Sequence, residues 1–123
     1  MMPQTESGLE CPQSYLDATP AARAAICNGC GSARAKFDFI PDTIYGLSIQ
    51  YACWIHDWMY NEGRDLADKR EADQTFLENM LTLIERDRTW YRWALKSLMR
   101  RRALKYYEAV VVFGEGAFRA GKH

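Results

Sequence analysis

The residues best able to do chemistry lie together in the stretch Cys53-Trp54-Ile55-His56-Asp57-Trp58-Met59-Tyr60. Neither Gly nor Pro interrupts the chain from 47 to 60, and its apolar residues predict a buried helix there. Neighbours on a helix point about 100° apart, so His56 and Asp57 cannot share one task. They can serve two adjacent ones. An imidazole is a general base near neutral pH, and a carboxylate is an oxygen ligand for a hard cation. Tyr60 follows His56 by one turn on the same face, where its hydroxyl can join a network. The bland alternative is a half-buried histidine beside an exposed aspartate.

Other elements must position these groups. A helix is predicted over 66–85, with Leu66, Asp73, Phe76, Leu77, Met80 and Ile84 on one face. Asp73 is the misfit on that apolar stripe, because a buried carboxylate needs a partner. The short Gly63-containing turn makes this helix antiparallel to the first, so Asp73 can face His56 and accept the far ring N–H. Alternatively, Asp73 is partly exposed and capped by Lys69 or Arg70. Upstream, Asn28-Gly29-Cys30-Gly31-Ser32 is a loop able to bring backbone carbonyls close to a ligand, or an ordinary helix cap and turn.

The remaining elements are simpler. Thr19 and Pro20 open a short helix to Ile26. Residues 36–40 alternate polar and apolar and suit a short extended piece. Asp42 or Thr43 caps the His-Asp helix, with Ile44 and Tyr45 in its first turn and Gly46 just inside it. A third helix is predicted over 86–113. Its apolar side carries Tyr91, Leu95, Met99, Ala103, Tyr106, Tyr107 and Val110, and Trp90 and Trp93 suit either core or a membrane interface. The first 12 residues read as a loose arm and 114–123 as a frayed end.

At 123 residues and 48% apolar composition, the chain is expected to be one domain, 1–123, with a real core. No apolar run approaches a membrane span. Met1 to Glu10 shows neither basic n-region nor apolar h-region, so no secretory signal is expected. Zero net charge hides an asymmetry: residues 1–85 hold 6 basic and 13 acidic groups, and residues 86–123 hold 10 basic and 3 acidic. The basic part can meet anionic head groups or nucleic acid, or dock on the acidic part. Cys11, Cys27, Cys30 and Cys53 allow three disulfide pairings in an oxidising compartment, and Cys27-x-x-Cys30 has the spacing of half a zinc site or a redox dithiol.

One chemistry uses the loop and both helices. A histidine held by a carboxylate activates water, while a hard cation on Asp57 and loop carbonyls polarises an ester carbonyl. The segments Asn28-Gly29-Cys30-Gly31-Ser32, Cys53-x-x-His56-Asp57-x-x-Tyr60 and Asp73-x-x-Phe76 resemble the calcium loop and two catalytic helices of secreted-type phospholipase A2. The loop is most similar to the group XII-like branch, and the resemblance spans about Cys27 to Met80. It implies an all-α fold in which two antiparallel long helices carry the site, a calcium loop precedes the first, and a C-terminal helix is extra. His56 and Asp73 would be catalytic, with Tyr60 in the supporting network. Ca²⁺ would bind Asp57 and the carbonyls of Gly31, Ala33 and Ala35. The implied reaction is hydrolysis of the sn-2 ester of a glycerophospholipid at a membrane or micelle surface, with no nucleic acid partner expected.

The sequence departs from that pattern. Met59 stands where the family carries a cysteine, Ala52 replaces another, and Ala33 and Lys36 replace later loop glycines. Without a visible signal, such an enzyme would stay cytoplasmic until lysis or non-classical export. Two other readings remain open at this point. One is a lipid-binding module without catalysis on the same scaffold. The other is a small zinc-held structural or nucleic-acid-binding protein using the four cysteines and the basic helix.

Overall fold

Helix boundaries in this chain can be traced to individual hydrogen bonds. The computed structural model describes residues 2–27 and 40–119. A short helix, α1 (Gln13–Asp17), precedes α2 (Pro20–Ile26). The Thr19 hydroxyl accepts from the Ala22 N–H at 3.1 Å and Pro20 takes the first helical position, so α2 forms where its capping residues predict.

The next segment corrects the sequence expectation. The His-Asp helix does not begin at Asp42 or Thr43. A hairpin stands there: β1 (Thr43–Ile44) pairs antiparallel with β2 (Leu47–Ser48). Tyr45 (φ 50°) and Gly46 (φ 84°) make a two-residue turn with both central residues in the left-handed region, as a type I′ hairpin requires. Gly46 therefore serves this turn and not a helix contact.

Helix α3 then spans Gln50–Glu62 and α4 spans Leu66–Arg86. Asp65 caps α4 through a reciprocal box with Asp68, at 2.9 Å to the Asp68 N–H and 3.3 Å back from its own N–H. The connecting Gly63 has φ −62°, so its need for glycine is spatial. A Cβ there would lie 2.6 Å from the Phe118 ring. Contacts between α3 and α4 run in opposite senses, Gly63 meeting Asp68 and His56 meeting Phe76, so the helices are antiparallel.

The third predicted helix is broken in two, α5 (Trp90–Trp93) and α6 (Lys96–Phe113). Asp87 causes the break. Its carboxylate accepts from the Thr89 hydroxyl at 2.9 Å and from Arg92 Nε at 2.6 Å, giving the backbone an alternative to continued helix. Lys96 Nζ donates to the Ile84 and Asp87 carbonyls at this turn. Helix α6 returns along α4, burying Met99, Ala103, Tyr106 and Val110 at helical spacing. Along α4, Ala72, Phe76, Met80 and Ile84 are buried, while the predicted Leu66 is exposed.

The described parts of both terminal segments are anchored, against expectation. In the N-terminal arm Leu9 and Cys11 are fully buried. The Asn79 side chain clamps Glu10, accepting from its N–H at 2.8 Å and donating to its carbonyl at 2.9 Å. At the other end α7 (Glu115–Arg119) buries Phe118 edge-on against Tyr60, ring centroids 5.2 Å apart. Residues 120–123 lie outside the described residues. Coarsely, the described chain is all-α: seven helices, all but α5 contributing to one hydrophobic cluster, plus a two-stranded hairpin. No described helix is long and apolar enough to cross a membrane.

Candidate functional site

Antiparallel packing of α3 on α4 sets His56 directly opposite Asp73. His56 Nε2 lies 2.8 Å from Asp73 Oδ1, and the two residues are 1% and 2% exposed. The Tyr60 hydroxyl donates to the same Oδ1 at 2.6 Å. Spacing along α3 explains the convergence: positions 56 and 60 share one face, and that face meets α4. The Phe76 ring stacks on the imidazole at 4.6 Å between centroids and 28° between planes, fixing its tilt.

Lys69 completes the cluster. Its ammonium donates to Asp73 Oδ2 at 2.7 Å and to the carbonyls of Val110 and Val111 at 3.1 and 3.4 Å. Asp73 is therefore both bonded to His56 and paired with Lys69, which the sequence reading offered as alternatives. Lys69 itself is 6% exposed, so three acceptors use its three donors in a nearly dry setting. The i, i+4 spacing of Lys69 and Asp73 was the available signal. The α6 carbonyls that make burial of the lysine tolerable had none, because they come from 41 and 42 positions away.

These contacts set the protonation states. Burial drives His56 below the ordinary imidazole value, outweighing its hydrogen bond to Asp73. Burial alone would push Asp73 up, but bonds from His56, Lys69 and Tyr60 hold it below the usual carboxylate range. Burial, then the bond to the Asp73 carboxylate, pushes Tyr60 well above the ordinary phenol range. Asp73 is thus an ionised acceptor, Nε2–H of a neutral His56 is the donor, and the ring lone pair is on Nδ1. That is the tautomer a general base requires.

Asp57 lies on the neighbouring face of α3 and is 2% exposed. A carboxylate at that depth must be held by donors or a cation. It lies near Cys27, whose thiol is pushed up to about 12 by burial first and the Asp57 charge second. This places Asp57 toward the point where the chain enters segment 28–39. One carboxylate supplies the hard oxygen donor that a cation such as Ca²⁺ takes, and by itself does not make a site for it. The other predicted ligands, Gly31, Ala33 and Ala35, lie outside the described residues, as does the predicted extended piece up to Phe39. Among the described residues no group of three or more His, Cys, Asp or Glu could hold a metal.

The cysteines divide. Cys11 and Cys27 carry free, buried thiols, which corrects the possible disulfides read at these two positions. The Cys27 thiol donates to the Trp54 carbonyl at 3.1 Å, which with its raised pKa makes it a structural group and not a redox nucleophile. Cys53 is disulfide-bonded, and Cys30 lies outside the described residues. A cavity of about 860 Å³ beside α3 is lined by Tyr15, Leu16, Arg23, Cys27, Tyr51 and Trp54 among others. A smaller one of about 360 Å³ reaches Lys69 and Asp73 from the α6 side.

No protein-family model matches the chain, and no curated protein or solved structure matches it. The functional reading consequently stands on the site and on the three motifs.

Proposed function

We propose that this chain is a calcium-dependent, phospholipase A2-like hydrolase that cleaves the sn-2 ester of glycerophospholipids with a water activated by His56. One observation carries the reading: a buried imidazole whose Nε2 lies 2.8 Å from the buried carboxylate of Asp73, with the Tyr60 hydroxyl on the same oxygen. The second oxygen of Asp73 is held by Lys69, so the carboxylate cannot rotate away.

Nδ1 of His56 takes a proton from water, and the water oxygen forms a bond to the ester carbonyl carbon. Asp73 accepts the Nε2–H bond throughout and stabilises the imidazolium that results. The C–O bond to the glycerol oxygen then breaks, the proton passes from His56 to that oxygen, and a fatty acid and a lysophospholipid leave. Asp57, with carbonyls of Gly31, Ala33 and Ala35, would hold Ca²⁺, which when bound supplies electrostatic stabilisation of the developing oxyanion.

The test is fatty-acid release from mixed phospholipid vesicles, with calcium and with chelator. Loss of activity on chelation, together with a fall of about a hundredfold or more in Asp73→Asn and His56→Gln, is the expected result. Hydrolysis that survives chelation, or survives loss of His56, defeats the mechanism. A second reading, a lipid-binding module without catalysis, is favoured by two tryptophans left in solvent on α5. Vesicle binding without ester cleavage at saturating calcium would select it.

A further inference from the structure

The α5 turn projects its aromatic side chains away from the core. Trp90 is 84% exposed and Trp93 is 77% exposed, the two largest exposures among the described large apolar residues. They stand three positions apart on one turn, with Tyr91 between them and Leu98 exposed just beyond. Isolated exposed apolar residues are ordinary, but a cluster of this kind rimmed by charge marks an interaction surface.

The rim is basic. Residues 86–105 contain eight Lys or Arg and a single acid, Asp87, and that acid is neutralised by Arg92 at 2.6 Å. Arg88, two positions before Trp90, is exposed, and so is Arg101, one helical turn after Leu98 on α6. The hairpin tip extends the same surface: Arg102 lies over the Tyr45 ring at 5.1 Å, and Gly46 abuts Arg92.

We propose that α5, the start of α6 and the Tyr45 tip form a docking surface for an anionic phospholipid bilayer. Indole rings with an apolar body and one N–H suit the half-wet head-group layer, and flanking guanidiniums complement its negative potential. An exposed aliphatic Leu98 in the patch favours lipid over nucleic acid, whose bases offer stacking faces and whose phosphates offer charge. The proposal rests on the hydrolase reading only in naming the surface where that enzyme would meet its substrate. Docking itself needs neither His56 nor calcium.

The test is sedimentation of the full chain with vesicles of phosphatidylcholine alone, and with one quarter phosphatidylglycerol, in chelator. Binding to the anionic vesicles with a blue-shifted tryptophan emission is expected. Trp90→Ala/Trp93→Ala should lower the partition coefficient at least about tenfold, since each ring loses its burial in the interface. Arg88→Glu/Arg101→Glu should lower it more than tenfold on anionic vesicles, at about fivefold per basic residue removed. All four side chains are exposed, and unchanged circular dichroism and melting would verify that the variants fold. No binding by the wild-type chain, or equal binding by the tryptophan variant, overturns the proposal. So does failure to bind vesicles combined with tryptophan-dependent binding of a single-stranded oligonucleotide. With calcium then added, docking without hydrolysis sinks only the enzymatic reading, and hydrolysis of a soluble short-chain ester without docking sinks only this one.

Discussion

Replacing Lys69 with Met tests whether the His56–Asp73 couple is held from behind by a buried ion pair. Met keeps most of the stem's volume and removes the ammonium. Asp73 Oδ2 then loses a donor at 2.7 Å, and the Val110 and Val111 carbonyls lose theirs at 3.1 and 3.4 Å. Breaking one side of a buried pair costs about 3–5 kcal/mol, because the remaining charge stays in a dry site. Against a total stability of about 5–15 kcal/mol this is a large fraction. At a few degrees per kcal/mol for a domain this size, the melting temperature should fall by about 10–20 °C. The double variant Lys69→Met/Asp73→Asn removes both charges and should lose less than the two single losses combined, by about 2–3 kcal/mol. Urea denaturation of the four proteins measures that coupling. The double variant should regain stability yet stay inactive on phospholipid vesicles, which separates holding the fold from holding His56. A Lys69→Met cost under about 1 kcal/mol, or strict additivity in the cycle, would refute the buried-pair argument.

Two further outcomes follow from the same geometry. Folded His56 titrates below its ordinary 6.5, so between 6.5 and its folded value the unfolded chain binds a proton that the folded chain does not. Its stabilisation is complete above pH 6.5 and declines as pH falls, by up to about 1.4 kcal/mol per pH unit within that window. Asp73 is held below its ordinary 3.8 and adds a second loss as pH falls below that value. Urea midpoints should therefore be flat from pH 7 to 8 and fall steadily below pH 6; a midpoint that rises between pH 7 and 5 contradicts the assignment. Gly114→Ala places a Cβ 2.3 Å from the Val110 carbonyl oxygen and 2.7 Å from the Tyr60 hydroxyl, so α6 must shift at a cost of about 1–3 kcal/mol. Gly116→Ala meets nothing within 4 Å and serves as the control, with thermal melting as the readout. Equal melting of the two variants would show that the end of α6 does not press on the site.

Much of the central pair was legible along the chain. An apolar stretch without Gly or Pro marked α3, helical spacing marked α4, and Asp73 declared itself by being acidic on an apolar stripe, whereas the Asp65–Asp68 box that starts α4 went unread. Thr19 and Pro20 likewise marked α2. What failed were readings that depended on competition between local and distant partners. Asp42 and Thr43 look like caps, yet the left-handed pair Tyr45-Gly46 folds them into a hairpin whose Thr43 carbonyl is held by Tyr106 at 3.0 Å. Asp87 looks like one more surface residue in a long helix, yet Arg92 and Thr89 turn it into a break. Polar ends read as loose, yet Asn79 and the space beside Gly63 seat Glu10 and Phe118.

By itself, then, the sequence determined which residues share a helix face, because helical spacing is a local property. It placed an imidazole, a phenol and a carboxylate where two antiparallel helices could join them. Only the tertiary structure decided that Asp73 would be shared among His56, Tyr60 and Lys69, and that Trp90 and Trp93 would stand in solvent. Both outcomes depend on where α6 returns. Its carbonyls allow a lysine to be buried behind the carboxylate, and the break before it turns α5 outward. No local pattern carries that information, since it lies in the packing of segments some 40 residues apart.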